Sequence, residues 1–119
     1  MKKILIVDDE SGIVEEVKSF FEEEGFEVYS ADTGKDGIDL ISKVFPDVML
    51  IDMKLPDMSG LNVLKSCKAI SPNTKIIVNT GYVDQAVIDE SERLGRDVFL
   101  QKPFNLERLY DEIQKLIGV

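Results

Sequence analysis

Histidine is missing altogether from the 119-residue chain. That removes imidazole general bases, imidazole metal ligands and every nucleophile that relies on a neighbouring histidine. Cysteine occurs once, at Cys67, so no disulfide framework can form within the chain, and a reducing, cytoplasmic setting fits. Cys67 sits in an apolar helical pattern and reads as core. Long hydrophobic runs are lacking as well. Met1-Lys2-Lys3 leads into the short apolar run Ile4 to Val7, which ends at Asp8-Asp9. That is far short of a secretory signal core, and nothing approaches a membrane-spanning helix. Positive charge is scarce: 14 Lys and Arg against 23 Asp and Glu leave a formal net charge of −9. Repulsion from phosphate backbones argues against nucleic-acid binding.

What is present suits one globular unit over residues 1–119. Hydrophobic residues make up 44% and charged residues 31% of the chain, enough for a buried core within a water-facing surface. Short apolar, β-rich runs alternate with helical patterns five times. Ile4 to Val7, Val48 to Ile51 and Ile76 to Val78 are continuous and largely β-branched, as expected of central strands of a parallel sheet covered on both faces. Phe26 to Ala31 mixes apolar and polar positions in the manner of an edge strand, and Val98 to Leu100 is the fifth run. The first helical stripe is Ile13, Val14, Val17, Phe20 and Phe21, stopped by Gly25. The second is Ile38, Ile41, Val44 and Phe45, preceded by Thr33 and Asp36 in capping-box spacing. Leu61, Leu64 and Cys67 mark the third, which stops near Pro72. Val83, Val87 and Leu94 give the fourth a thin stripe, so it should hold less tightly to its sheet. The fifth, Leu106, Leu109, Tyr110, Ile113, Leu116 and Ile117, is the clearest. The pattern is (βα)5, an α/β fold with a parallel sheet and helices on both faces.

In open α/β sheets, ligands bind at the carboxyl ends of the strands. Strand one ends in Asp8-Asp9, with Glu10 next, strand three in Asp52, strand four in Thr80-Gly81 and strand five in Lys102-Pro103. Neighbouring strands lie about 5 Å apart, so several carboxylates, a hydroxyl and an ammonium converge. Taken singly, each is an ordinary turn or cap residue; their joint placement points to a site. Carboxylates this close need protonation or a cation. An all-oxygen donor set with no His or Cys selects a hard ion, Mg2+, Mn2+ or Ca2+, of which Mg2+ is the one usually found bridging phosphate oxygens and Mn2+ can substitute for it. Lys102 and Thr80 supply a point charge and a hydroxyl donor for phosphate. An ionised Asp52 can then act as a nucleophile toward phosphorus.

Four segments carry a family resemblance: Ile4 to Glu10, Val48 to Gly60, Asn79 to Tyr82 and Phe99 to Phe104. In this order and spacing the chain resembles the receiver domain of bacterial two-component response regulators over essentially its whole length. The resemblance implies a flavodoxin-like, doubly wound sheet of strand order 2-1-3-4-5. It implies Asp52 as phospho-acceptor, Asp9 as direct Mg2+ ligand, Asp8 as holder of a metal-bound water, and the Lys54 carbonyl as a further ligand. Thr80 and Phe99 would be switch residues, Lys102 would pair with a phosphoryl oxygen, and the Lys102–Pro103 bond would be cis. Pro56 and Gly60 would shape the loop into helix three. Lys54 and Tyr82 would tune the lifetime of the phosphoform. Partners implied are a histidine kinase or His-phosphotransfer protein, a downstream effector or separate output domain, and a phosphorylation-dependent homodimer. No conventional turnover activity is implied. Since the last helix ends with the chain, either a single-domain regulator or a receiver excised from a longer protein is expected. Two departures stand out: Arg96, expected at the surface, and Asn79, at a position more often apolar.

Three other readings compete. An aspartate-nucleophile phosphohydrolase would place an acid two residues after Asp52, where this chain has Lys54. An interaction module that is never phosphorylated would be favoured by loss of Asp9, Asp52, Thr80 or Lys102, and all four are present. A flavodoxin-like cofactor binder would need a phosphate loop after strand one, where Asp8-Asp9-Glu10 instead repels phosphate.

Overall fold

The hydrophobic alternation resolves into five strands and five helices in a computed structural model, which describes residues 1–81 and 84–118. In chain order they are β1 (Lys3–Val7), α1 (Ser11–Glu23), β2 (Glu27–Ala31), α2 (Gly34–Val44), β3 (Val48–Ile51), α3 (Gly60–Ile70), β4 (Lys75–Thr80), α4 (Gln85–Arg93), β5 (Val98–Gln101) and α5 (Leu106–Ile117). All strand pairs are parallel, in the order β2-β1-β3-β4-β5. The mixed run containing β2 is indeed an edge strand, and the three continuous apolar runs are the interior ones.

A central strand here must be apolar on both sides, because each face of the sheet carries its own core. On one face Ile4, Ile6, Val48, Leu50, Ile77 and Leu100 pack against Val17 and Phe21 of α1 and Leu109 and Ile113 of α5. On the other, Leu5, Val7, Met49, Ile51, Ile76 and Val78 meet Ile41 of α2 and Val63, Leu64 and Cys67 of α3. The period of two within each strand divides the apolar residues between the faces. Cys67 is fully buried, as core.

Local signals fix the element ends. Thr33 accepts the Asp36 N–H at 3.1 Å, the capping spacing read from the sequence. Gly25 adopts φ +90°, which a residue with a Cβ resists. Phe45 departs from expectation. It does not join the apolar stripe of α2 but caps the helix at φ 49° with 58% of its surface exposed. The reason is Pro46, which cannot continue a helix and disfavours helical backbone at the residue before it.

Helix α4 matches its thin stripe. Ser91 is its one fully buried residue, and Val87 is only partly covered; Val83 lies outside the described residues. Arg96 was expected at the surface, yet only 14% of its side chain is exposed. Its guanidinium donates to the Ile88 carbonyl at 2.6 Å and to Ser91 Oγ at 2.7 Å, and it lies 5.4 Å from the centre of the Phe99 ring. A planar cation with several donors can satisfy a helix end and an aromatic face together.

Candidate acceptor site at the carboxyl ends of the strands

Asp8 and Asp52 lie one residue beyond the ends of β1 and β3, and the ladder continues far enough to hold them. The Asp8 N–H donates to the Ala31 carbonyl and the Asp52 N–H to the Val7 carbonyl, each at 3.0 Å. Both carboxylates are therefore buried, with 2% and 6% of the residue exposed. Lys102, one residue past β5, reaches back across the sheet. Its Nζ lies 2.8 Å from Asp8 Oδ2, 2.7 Å from Glu10 Oε1 and 3.0 Å from Asp52 Oδ2. The Lys102–Pro103 bond is cis, as the resemblance implied.

One ammonium thus holds three carboxylates together, with one oxygen of each within 4.8 Å of the others. Burial pushes the Asp8 pKa up, outweighing the hydrogen bonds from Lys102 and from the Glu10 N–H. Burial works against the Lys102 charge too, but its hydrogen bonds to Asp8, Glu10 and Asp52 prevail and hold its pKa above the ordinary lysine value. The donors are all carboxylate oxygens, which fits a hard divalent cation and excludes a soft one. The residues present therefore fit a metal ion.

Asp9 is exposed and lies outside this tight cluster, but it lines the cleft above it with Glu10, Asp52, Lys54, Thr80 and Gly81. Thr80 ends β4 and is 1% exposed. The Lys54 N–H donates to Asp52 Oδ1 at 3.2 Å. Phe99 is half-buried on β5, packed against the α2–α3 side. Tyr82 lies outside the described residues.

Two participants were not singled out from the sequence as site residues. Glu10 enters because Asp8 Oδ1 accepts its N–H at 2.9 Å, a local turn that swings Glu10 back over the strand end; the run of three acids was its signal. Asp57 accepts the N–H groups of Gly34 and Lys35 at 2.8 and 3.0 Å. Those bonds hold its carboxyl below the usual range and tie the β3–α3 loop to the start of α2.

Gly60 closes the floor of the site. A Cβ there would lie 2.2 Å from the Asp52 carbonyl oxygen and 2.7 Å from Met53 Cα. Backbone cannot yield to that contact as a flexible side chain can. Gly60→Ala is expected to cost about 1–3 kcal/mol in urea unfolding and to displace the Asp52 segment. An unchanged unfolding midpoint would contradict this close approach.

A profile of the response regulator receiver domain family matches residues 4–114. The chain belongs to this family. Over 116 residues this receiver domain is 37% identical to sporulation initiation phosphotransferase F of Bacillus subtilis, covering 98% of this chain and 94% of that protein. It is 32% identical over 117 residues to the regulatory protein AtoC of Escherichia coli, covering 98% of this chain but 25% of AtoC. Among solved structures, a CheY-like response regulator receiver domain protein from Methanospirillum hungatei superposes with a TM-score of 0.96 at 36% identity. That match covers 99% of this chain and 94% of the other. The beryllofluoride-activated NtrC4 receiver domain dimer gives a TM-score of 0.91 at 32% identity, covering 99% and 98%. The receiver domain is thus one of two-component signal transduction, with the strand order the resemblance implied.

Proposed function

We propose that residues 1–119 form a receiver unit in which Asp52 accepts a phosphoryl group from a phosphohistidine of a partner kinase or phosphotransfer protein. The observation that carries this reading is the Lys102 ammonium bound at once to Asp8, Glu10 and Asp52, a cation in place where an anionic group would be received. An Asp52 oxygen forms the new bond to phosphorus as the bond to the donor's imidazole nitrogen breaks, and the electron pair leaves with that nitrogen. Asp8 and Asp9, with Asp52 and the Lys54 carbonyl, would hold Mg2+, or Mn2+ in its place. When bound, the metal neutralises charge on the transferring phosphoryl oxygens. Lys102 pairs with a phosphoryl oxygen, and the Thr80 hydroxyl donates to another. Lys54, beside Asp52, flanks the acyl phosphate and, with Tyr82, tunes its hydrolysis.

Thr80 and Phe99 couple occupancy to the face formed by α4, β5 and α5. Helix α4, with little buried apolar surface, is the element whose position is least costly to shift. The NtrC4 relative forms a dimer in its beryllofluoride-activated state, which supports a phosphorylation-dependent homodimer or an effector docking here. The chain is a phospho-acceptor rather than a conventional turnover enzyme. No described helix is long and apolar enough to cross a membrane, which suits a cytoplasmic partner.

Intact mass after incubation with acetyl phosphate tests this reading. A single phosphoryl adduct is expected that needs Mg2+ and disappears with chelator. If neither acetyl phosphate nor a histidine kinase yields an adduct on the folded protein, the unphosphorylated interaction module takes its place.

A further inference from the structure

Asn79 is 0% exposed, and both its Oδ1 and its Nδ2 are without a hydrogen-bond partner among the described residues. A buried amide in that condition is costly and uncommon in a native interior. Its location gives the reason. Val7 pairs with Ile51, Ile51 with Val78, and Asn79 with Leu100. One residue further along β1, β3 and β4 stand Asp8, Asp52 and Asn79, a single transverse row. Ile77 and Leu100 belong to the core beneath α1 and α5, and Val78 to the opposite core. Alternation therefore puts Asn79 on the α1–α5 side, one strand away from Asp52.

Lys102 begins just beyond β5 and ends on carboxylates following β3 and β1, so its stem crosses the end of β4, where Asn79 lies. An ammonium has three N–H donors, and in the free domain Asp8, Glu10 and Asp52 take them. Each carboxylate oxygen that turns to a divalent cation leaves one of those donors in need of another acceptor. A phosphoryl oxygen supplies one.

Resting on the phospho-acceptor reading, we propose that Asn79 is a positioning residue of this site: its Oδ1 accepts a hydrogen bond from the Lys102 ammonium once the carboxylates are engaged elsewhere. An amide unpaired in the free state and paired in the occupied state favours occupancy, because its burial cost falls on the free state alone.

The test compares Asn79→Val with Asn79→Thr, which share a shape and differ in one acceptor oxygen; both are good strand formers. Affinity for beryllofluoride in the presence of Mg2+ is measured by calorimetry alongside the melting temperature of the free domain. Asn79→Val is expected to raise the melting temperature yet weaken beryllofluoride binding about tenfold, or about 1.4 kcal/mol, with Asn79→Thr nearer the parent. A purely structural Asn79 would shift the melting temperature and leave affinity unchanged. Unchanged affinity in both variants, or equal losses in Val and Thr, overturns this inference alone. Failure of the parent to bind beryllofluoride overturns the phospho-acceptor reading, and this inference with it.

Discussion

Asp52→Asn is expected to abolish the phosphoryl adduct while leaving the fold standing. The substitution keeps the side chain's volume and one oxygen, but a neutral amide is no nucleophile toward phosphorus at neutral pH. Lys102 retains Asp8 at 2.8 Å and Glu10 at 2.7 Å, and the asparagine oxygen can still accept from it. Losing one charge also relieves repulsion, since Asp52 is among the groups that raise the Asp8 pKa. Stability should therefore change by no more than about 1 kcal/mol, as measured by urea unfolding beside the intact-mass assay. An adduct of undiminished stoichiometry on this variant would transfer the acceptor role to Asp8 or Asp9. An unfolded variant would show instead that Asp52 is held for structure.

Lys102→Met carries the second large effect, and here it falls on stability. The methionine fills the volume of the stem but removes the cation shared by Asp8 and Asp52. Removing one partner of a buried ion pair costs about 3–5 kcal/mol. Glu10, with 56% of its side chain exposed, should contribute little to that loss. The sign of the pH dependence follows from Asp8. Burial already raises its pKa, and Lys102 is the main group lowering it, so in the variant the folded carboxyl should hold its proton to higher pH than the unfolded chain does. The folded state then binds more protons across the carboxylate range, and stability falls as pH rises through it. The parent should show much less of this loss. Its Lys102 pKa is raised, so the lysine's contribution is complete at and below the ordinary lysine range and is lost only as pH climbs above it. Mg2+ should restore much of the variant's stability at neutral pH by neutralising the same carboxylates. Urea unfolding at acid and neutral pH, with and without Mg2+, reads all of this. A loss under about 1 kcal/mol, indifferent to pH and metal, would show that Lys102 does not hold the acidic row together.

The amino-acid sequence alone determined the alternation of strands and helices, the edge character of β2, the Thr33 cap and the stop at Gly25. These are local matters of period, propensity and backbone freedom, each expressed within one or two turns of chain. It also determined which residue types collect at the strand ends, because the carboxyl end of a parallel strand is where chemistry must sit. Phe45 shows the limit of period alone, since the next residue overruled the stripe. Only the tertiary structure decided how the collected groups pair. The reach of Lys102 over three strands to Asp8, Glu10 and Asp52, the placing of Glu10 rather than Asp9 in that cluster, and the burial of Arg96 against Phe99 all depend on the register between strands distant in sequence. The unpartnered amide of Asn79 belongs with them. An asparagine in an apolar run is visible in the sequence. Its place in one row with Asp8 and Asp52 exists only once β1, β3 and β4 lie side by side, because hydrogen-bond register between strands, not sequence spacing, sets which side chains are neighbours.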